Sequence, residues 1–251
     1  MFTYQIIVEY DGTNFVGWQK QKNGLSVQQT IEKIFAKILK EKVILYGSGR
    51  TDAGVHAVGQ SAHFISKLKI NNKSLFLNSV NFFLLKKKIS ILKINNKKSN
   101  FHARYSAKKR EYKYVIINRI APLSLKFNKA WHIKFLLNFK LMKKAAKLLE
   151  GNKDFSTFRS SSCSSKSPIK TLDEATMKKA GDKITIIFRS KSFLQQQVRS
   201  MVGCLKFVGQ GKWSLKKFEY IIKSKKRSDC APPAPAHGLY LFKVYYCLFI
   251  I

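Results

Sequence analysis

The sequence is poor in acidic side chains. It has 13 Asp and Glu against 48 Lys and Arg, a formal net charge of +35 over 251 residues. A surface with that excess attracts polyanions within a Debye length, about 8–10 Å. It favours nucleic acid as the first class of partner and an anionic membrane surface as the second. Lys, Asn, Ile and Phe are all abundant, so we assign roughly a third of the excess to compositional drift.

The sequence also lacks the patterns of several other protein classes. The cysteines, Cys163, Cys204, Cys230 and Cys247, are far apart and form no Cys-x-x-Cys, which argues against a zinc site and a disulfide framework. Free thiols suit a reducing cytoplasm. No apolar run has the length of a membrane span, and residues 1–5 lack the features of a signal peptide. We expect a cytoplasmic protein without a metal or a membrane anchor.

The first hundred residues have the pattern of a ferredoxin-like unit. Residues 2–10 alternate as a strand does, and Ser26 with Gln29 forms a capping box before an amphipathic helix. The elements predicted after it are a strand ending near Tyr46, a strand over Gln60–Ser66, a helix over Ser74–Leu85 and a strand over Ile89–Ile94. Together they give the order β-α-β-β-α-β.

A polar segment, residues 95–100, predicts a boundary between a domain at 1–100 and a domain at 101–251. The second half repeats the first in outline. Its predicted strands are Tyr105–Asn118, Lys183–Ser190 and Gly238–Tyr246, and its helices are Phe139–Leu149, Phe193–Gly209 and Leu215–Lys223. We therefore expect an α/β (α+β) fold with two ferredoxin-like halves.

A glycine-rich stretch, Gly47–Gln60, is the first candidate for chemistry. Its glycines bracket Arg50, Asp52 and His56. A nucleophilic carboxylate must be ionised, partly desolvated and fixed in direction, and an arginine two positions away can hold it ionised or bind a phosphate. The alternative is a tight turn whose aspartate caps its own backbone, and local sequence alone favours that turn. His56 has no nearby partner and is expected to be structural.

Three other segments leave alternatives open. Phe15 and Trp18 follow a turn at Asp11 and suit either the core or a stacking platform. The segment Lys108–Tyr114 interleaves cations with aromatics, so it either binds RNA or is a solvated strand whose tyrosines point inward. Arg199 lies beside the apolar face of a helix, as a rim residue or as a buried cation that needs a carboxylate.

Six motifs carry a resemblance to a known family. They are Tyr10–Gln19, Gly49–Ala57, Phe101–Ala107, Asp154–Arg159, Val198–Gly203 and Gly238–Leu241. In this order and spacing the chain resembles, nearly end to end, the TruA family of tRNA pseudouridine synthases. One departure is the triplet at residues 195–197, Gln-Gln-Gln, where the family usually has aromatic, His or Met residues.

The resemblance implies isomerisation of uridine to pseudouridine at positions 38, 39 and 40 of the tRNA anticodon stem-loop. It implies that Asp52 is the nucleophile and that Tyr112 stacks on the target uracil. Arg199 would pair with Asp52, while Arg50 and Arg104 would contact the RNA and assist flipping. It also implies a homodimer and two sheets that form one extended antiparallel surface with a central basic cleft.

This chemistry agrees with the residues present. Moving a base from a nitrogen to a carbon linkage needs no cofactor, whereas a glycoside hydrolase normally needs a second carboxylate, and none accompanies Asp52. The alternative is a non-catalytic tRNA-binding protein or RNA chaperone. A basic peripheral membrane protein is a third possibility, which no amphipathic terminal helix supports.

Overall fold

A computed structural model describes residues 1–247 of the chain. The chain divides into two compact units, of which the first contains Met1–Lys108 together with the C-terminal strand from Tyr240, and the second contains Lys109–Leu239. This division differs from the single boundary expected at residue 100. The reason is that the last strand of the chain pairs with a strand of the first unit.

The first unit has the β-α-β-β-α-β order that the sequence predicts. Its elements are β1 (Phe2–Tyr10), α1 (Val27–Leu39), β2 (Tyr46–Gly47), β3 (His56–Ser66), α2 (Lys73–Leu84) and β4 (Ile89–Lys97). β1 lies between β4 and β3 and is antiparallel to both, and β2 pairs with the opposite edge of β3. This arrangement confirms the ferredoxin-like prediction for the first half.

Helix α1 shows how the sequence builds this unit. The Ser26 side chain accepts a hydrogen bond from the Gln29 amide at 3.2 Å, so the predicted N-cap is confirmed. One face of the helix is buried, and its Phe35 ring meets Phe64 of β3 edge to face at 5.0 Å and Phe76 of α2 at 5.4 Å. Both helices therefore cover the same face of the sheet.

The second unit is also a mixed α/β layer. Its elements are β5 (Ala107–Asn118), β6 (Trp131–Ile133), α3 (Phe139–Leu148), β7 (Gly151–Asp154), β8 (Ile169–Ala180), β9 (Lys183–Ser190), α4 (Gln197–Gly209) and α5 (Leu215–Ser224). The strand order β5-β9-β8-β7 is antiparallel, and β6 runs parallel to β5. The mixed α/β fold class is thereby confirmed.

Two features of the second unit differ from the sequence-based prediction. Strands β6, β7 and β8 were not predicted; in β8 only Leu172, Ala175 and Met177 are buried, so its apolar pattern is weak. Helix α4 begins at Gln197 and not at Phe193. The cause is a turn in which Gln196 has a left-handed φ of 61° and the Gln197 amide donates to the Leu194 carbonyl at 3.1 Å.

The last strand, β10 (Leu239–Tyr246), runs parallel to β3, with Tyr240 opposite His56 and Leu241 opposite Ala57. All four cysteines are free thiols. Among residues 1–247, no helix is long and apolar enough to cross a membrane.

Replacing the α1 cap tests how this helix is held. Ser26→Ala removes the acceptor for the Gln29 amide, and we expect it to lower the free energy of unfolding by about 1 kcal/mol in urea titrations. Ser79→Ala is a matched control, because the Ser79 hydroxyl only bonds back to the Leu75 carbonyl within α2. Equal effects of the two substitutions would contradict the role of Ser26 as the cap.

Candidate active site

Asp52 lies in a tight turn directly before β3. The Val55 amide donates to the Asp52 carbonyl at 3.2 Å, and the Gly54 amide donates to the Phe15 carbonyl at 3.3 Å. The tight turn proposed as the alternative therefore exists. It leaves Asp52 half-buried.

The turn is held by the segment that follows β1. Thr51 is buried, its hydroxyl lies 2.8 Å from the Tyr10 hydroxyl, and its carbonyl accepts the Trp18 amide at 3.1 Å. Gly17 has a φ of +115°, and a Cβ there would lie 2.5 Å from the Thr51 carbonyl oxygen. A Cβ on Gly12 would overlap the Val55 carbonyl oxygen. The two glycines thus let two stretches of backbone touch.

The aromatic residues of this segment belong to the core. Phe15 and Trp18 are both buried, and the Trp18 ring lies 6.0 Å from that of Tyr10 in a tilted arrangement. The burial of both side chains favours the core interpretation over a stacking platform.

Polar side chains hold the other end of the glycine-rich stretch. The Ser48 hydroxyl donates to Gln60 Oε1 at 2.8 Å, and Gln60 Nε2 donates to the Gly49 carbonyl at 2.7 Å. Ser48 and Gln60 are both buried. Because the amide of Gln60 is used on both sides, the backbone just before Arg50 is fixed to β3.

His56 and Asp11 have structural positions. The His56 ring is buried, stacks on Tyr240 at 4.8 Å and accepts the Gly12 amide on Nδ1 at 3.1 Å. Asp11 Oδ1 lies 3.1 Å from the same nitrogen. Asp11 Oδ1 also accepts from the Thr13 amide and hydroxyl, which makes it the cap of its own turn.

Two candidate RNA-contacting arginines lie at the surface of the first unit. Arg50 is exposed, and its Nε donates to Gln19 Oε1 at 3.2 Å. Arg104 is exposed in the loop before β5, and its amide donates to His102 Nδ1 at 3.1 Å. The backbone at both arginines is therefore fixed by neighbouring side chains.

A buried histidine anchors the loop that carries Arg104. His63 Nδ1 accepts the Ala103 amide at 3.1 Å, and the ring is only 4% exposed. Burial, followed by the nearby His102, lowers the pKa of His63 to about 4. Burial and the Arg104 charge also lower the pKa of His102. Both acceptors are therefore uncharged at neutral pH, which the hydrogen bonds to backbone amides require.

Tyr112 and Tyr114 lie on the same face of β5, as alternation predicts. Tyr112 is 8% exposed, and its ring meets Phe193 edge to face at 5.1 Å. Tyr114 is fully buried and donates to the Pro235 carbonyl at 2.8 Å; burial raises the pKa of its hydroxyl. Tyr114 is thus a core residue, and the orientation of Tyr112 is set by its neighbour.

Arg199 is half-buried on α4 and is tied to a proline-rich segment. Its Nε donates to the Ala234 carbonyl at 2.8 Å, and the Ala234 amide donates to the Arg199 carbonyl at 2.9 Å. Gly203, one turn further, lets α4 approach the Pro232 carbonyl so closely that a Cβ would overlap it. Since Pro235 accepts from Tyr114, this segment links the Arg199 helix to the strand that carries Tyr112.

The basic residues of β5 are largely used within the protein. Lys109 pairs with Asp173 at 3.2 Å and Lys113 with Glu111 at 3.5 Å. Arg110 is buried and donates to the Lys191 carbonyl. The interleaved pattern that suggested RNA binding therefore mainly reflects ion pairs and packing in the second unit.

The sequence model of the tRNA pseudouridine synthase family matches residues 6–106 and 145–247. The chain belongs to this family. The matched ranges include Asp52 and Arg199, and Tyr112 lies between them. Full-length relatives match over the intervening residues as well.

Those relatives extend over the whole chain. A tRNA pseudouridine synthase A of Pelagibacter ubique is 58% identical over 246 residues, 98% of this chain and 100% of the relative. Proteins of the same name from Parvibaculum lavamentivorans and Ehrlichia chaffeensis are 44% and 43% identical, and each covers 97% of this chain. Like other members of the tRNA pseudouridine synthase family, the protein is an isomerase.

Sequence reasoning missed the side chains that position these motifs. Ser48 and Gln60 bond within the glycine-rich stretch, but their side chains have no motif that predicts it. His63 acts on Ala103, 40 residues away, so no local pattern marks it. The prolines at 232–235 are the one local pattern from which the segment that contacts Arg199 could have been predicted. Among residues 1–247, no group of three or more His, Cys, Asp or Glu side chains is placed to hold a metal ion.

The low pKa of His63 predicts a pH dependence of stability. Between pH 6.5 and about 4 the unfolded chain binds a proton at His63 that the folded chain does not, so stability falls as the pH falls through this window. We expect wild type to lose about 2 kcal/mol more than His63→Asn between pH 7 and pH 5.

The asparagine keeps an oxygen acceptor for the Ala103 amide but does not titrate. Urea unfolding at the two pH values measures the difference. Parallel losses in both proteins would contradict a buried, neutral His63.

Proposed function

We propose that the protein isomerises uridine to pseudouridine at positions 38, 39 and 40 in the anticodon stem-loop of tRNAs, with Asp52 as the nucleophile and no cofactor. The observation that carries this proposal is the turn at residues 51–55, whose backbone is held against Gly12 and Gly17 and through Thr51, while Asp52 is only half-buried. Relatives named tRNA pseudouridine synthase A support the tRNA substrate. The free thiols suit a cytoplasmic location.

The reaction needs one carboxylate. The glycosidic bond from uracil N1 breaks, the base rotates, and C5 bonds to the sugar, after which the C5 proton is lost and N1 is protonated. A carboxylate beside the sugar can capture or stabilise the oxocarbenium-like centre. Asp11, the acid of the neighbouring motif, caps its own turn by accepting from Thr13. This supports isomerisation over hydrolysis, for which a second carboxylate must activate water.

The other predicted residues complete the proposal. Tyr112 stacks on the target uracil, and Phe193 holds its ring in one orientation before RNA binds. Arg199 supplies the countercharge that keeps Asp52 ionised, with its Nε oriented by Ala234. Arg50 and Arg104, both exposed, contact the RNA backbone and assist flipping, which costs a few kcal/mol.

Replacing Asp52 tests the mechanism. We expect Asp52→Asn to lower the rate of pseudouridine formation by at least about 10³-fold, because the amide is not nucleophilic. Binding of tRNA stays within about threefold, since one polar side chain of similar shape is exchanged. Single-turnover assays and fluorescence anisotropy measure the two quantities.

Asp11→Asn is the matched control, because its side-chain oxygen still accepts from Thr13 and the reaction rate should persist. A variant at Asp52 that forms pseudouridine at the wild-type rate contradicts the mechanism. Wild-type protein that binds tRNA but forms no pseudouridine identifies a non-catalytic tRNA-binding protein instead.

We also propose that the protein is a homodimer. One segment of the second unit, residues 120–136, exposes five large apolar side chains, each at least 69% accessible: Ile120, Leu125, Phe127, Phe135 and Leu136. Several large apolar side chains exposed on one segment favour an interface. A second copy of this chain is the occupant that we propose for them.

Light scattering after size-exclusion chromatography tests the dimer. Wild type is expected at twice the 28.9 kDa mass of the chain, and Leu125→Asp at the monomer mass, because a carboxylate cannot be buried unpaired. Lys126→Asp, exposed in the same segment, controls for the change in charge and should remain dimeric. A monomeric wild type would contradict the proposal.

A further inference from the structure

Four rings of the first unit lie in contact one after another, the first pair stacked and the next two pairs tilted. We call this series, Tyr46, His63, His102 and Tyr105, the aromatic ladder. Tyr46 stacks on His63 at 5.1 Å with planes 26° apart, His63 lies 4.6 Å from His102, and His102 lies 4.4 Å from Tyr105. The ladder brings together β2, β3 and the loop before β5.

The ladder is uncharged in the middle, where His63 is buried and His102 half-buried, and exposed at both ends. His63 is 4% exposed, whereas Tyr46 is 45% and Tyr105 is 75% exposed. His63 and His102 use their Nδ1 atoms to accept backbone amides, so neither ring is a spare base. The two phenols, by contrast, present flat aromatic surface to solvent.

The loop below the ladder is rigidly held. The Tyr246 hydroxyl lies 2.8 Å from both the Ala103 carbonyl and the Ser61 hydroxyl, and the Phe101 ring lies 5.2 Å from the Tyr246 ring. The Ser106 hydroxyl accepts the His102 amide at 3.0 Å. Since the backbone is fixed on both sides of Tyr105, its ring requires little ordering when a ligand binds.

The charge around the ladder fits a polyanion. Residues 97–108 contain four Lys and Arg and no Asp or Glu. The Arg104 guanidinium lies 5.7 Å from the centre of the Tyr105 ring, and the Lys97 ammonium lies 5.2 Å from that of Phe101. Exposed rings beside cations are the combination with which proteins bind single-stranded RNA, the ring stacking on a base and the cation meeting a phosphate.

We propose that the ladder is a second RNA-binding site, in which Tyr105, with Tyr46 at the other end, stacks on unpaired bases of the tRNA substrate other than the target uridine. This inference rests on the proposed function, because it assumes a tRNA substrate. An acidic peptide would satisfy the cations but leave both phenol faces without a planar partner. The site positions the RNA and takes no part in the chemistry.

Two substitutions at Tyr105 separate stacking from apolar contact. Tyr105→Leu keeps apolar surface but removes the ring, and we expect it to weaken tRNA binding about tenfold in anisotropy titrations. Tyr105→Phe keeps the ring and should bind within about twofold of wild type. Because Tyr105 is largely exposed, both variants should unfold at the wild-type urea concentration, which shows that the loop is intact.

Tyr220→Leu is the matched control. Tyr220 is 56% exposed on α5 and its ring lies 4.8 Å from the Lys217 ammonium, so it is also an exposed tyrosine with a cationic neighbour but belongs to no ladder. It should bind tRNA as wild type does. At saturating protein, the single-turnover rate of Tyr105→Leu should equal that of wild type, since the ladder acts only on binding.

The outcomes distinguish this inference from the proposed function. If Tyr105→Leu binds tRNA as tightly as wild type, or Tyr105→Phe loses as much affinity as Tyr105→Leu, the stacking site is wrong even where pseudouridine is formed. If the Leu variant alone loses affinity while wild type forms no pseudouridine, the stacking site stands and the proposed function fails.

Discussion

The close approach of two backbone segments is the constraint on which the candidate site depends. Gly12 and Gly17 allow the chain after β1 to lie directly against residues 51–55, and any Cβ would force the segments apart. The Thr51 carbonyl then accepts the Trp18 amide, and Phe15 accepts that of Gly54. A turn held by main-chain atoms does not adjust to side-chain motion. Asp52 therefore keeps one position relative to the sheet, as a nucleophile requires.

In the second unit, too, a close backbone approach at a glycine holds a charged side chain in place. Segment 230–235 accepts from the buried Tyr114 through Pro235 and exchanges two hydrogen bonds with Arg199 through Ala234. Gly203 again removes the side chain that would prevent contact. In both units, motif glycines mark points where backbones meet and a charged side chain must be held still. This physical role explains why the motifs contain glycine, whatever reaction the protein catalyses.

Much of the fold follows from local sequence. The bounds of β1 and β9 agree with the prediction, and the Ser26 cap and the β-α-β-β-α-β order are confirmed. Prediction from local sequence failed where pairing with other strands determines the structure. An example is β8, which forms a strand because it pairs with its neighbours and not because it has an apolar pattern. The boundary between units differs for the same reason, because a parallel pairing of β10 with β3 has no local signature.

For the candidate site, too, some features could be predicted from local sequence and others could not. The glycine spacing around Asp52 marked the turn, but periodicity could not decide whether Trp18 was buried. The aromatic ladder was invisible to sequence reasoning, since its rings come from distant segments and each is unremarkable alone. Composition also could not locate the positive charge, because it does not show which cations, such as Lys109, form ion pairs with the few acids. Local sequence does not distinguish a basic strand exposed to solvent from one whose cations form ion pairs.

The central claim is that this fold directs a single carboxylate at uridines of the anticodon stem-loop. The most direct test is to incubate unmodified tRNA with the purified wild-type protein and to map pseudouridine at nucleotide resolution. The account predicts pseudouridine at uridines 38, 39 and 40 without added cofactor and without release of free uracil. Pseudouridine confined to other positions, or free uracil as the product, would contradict it.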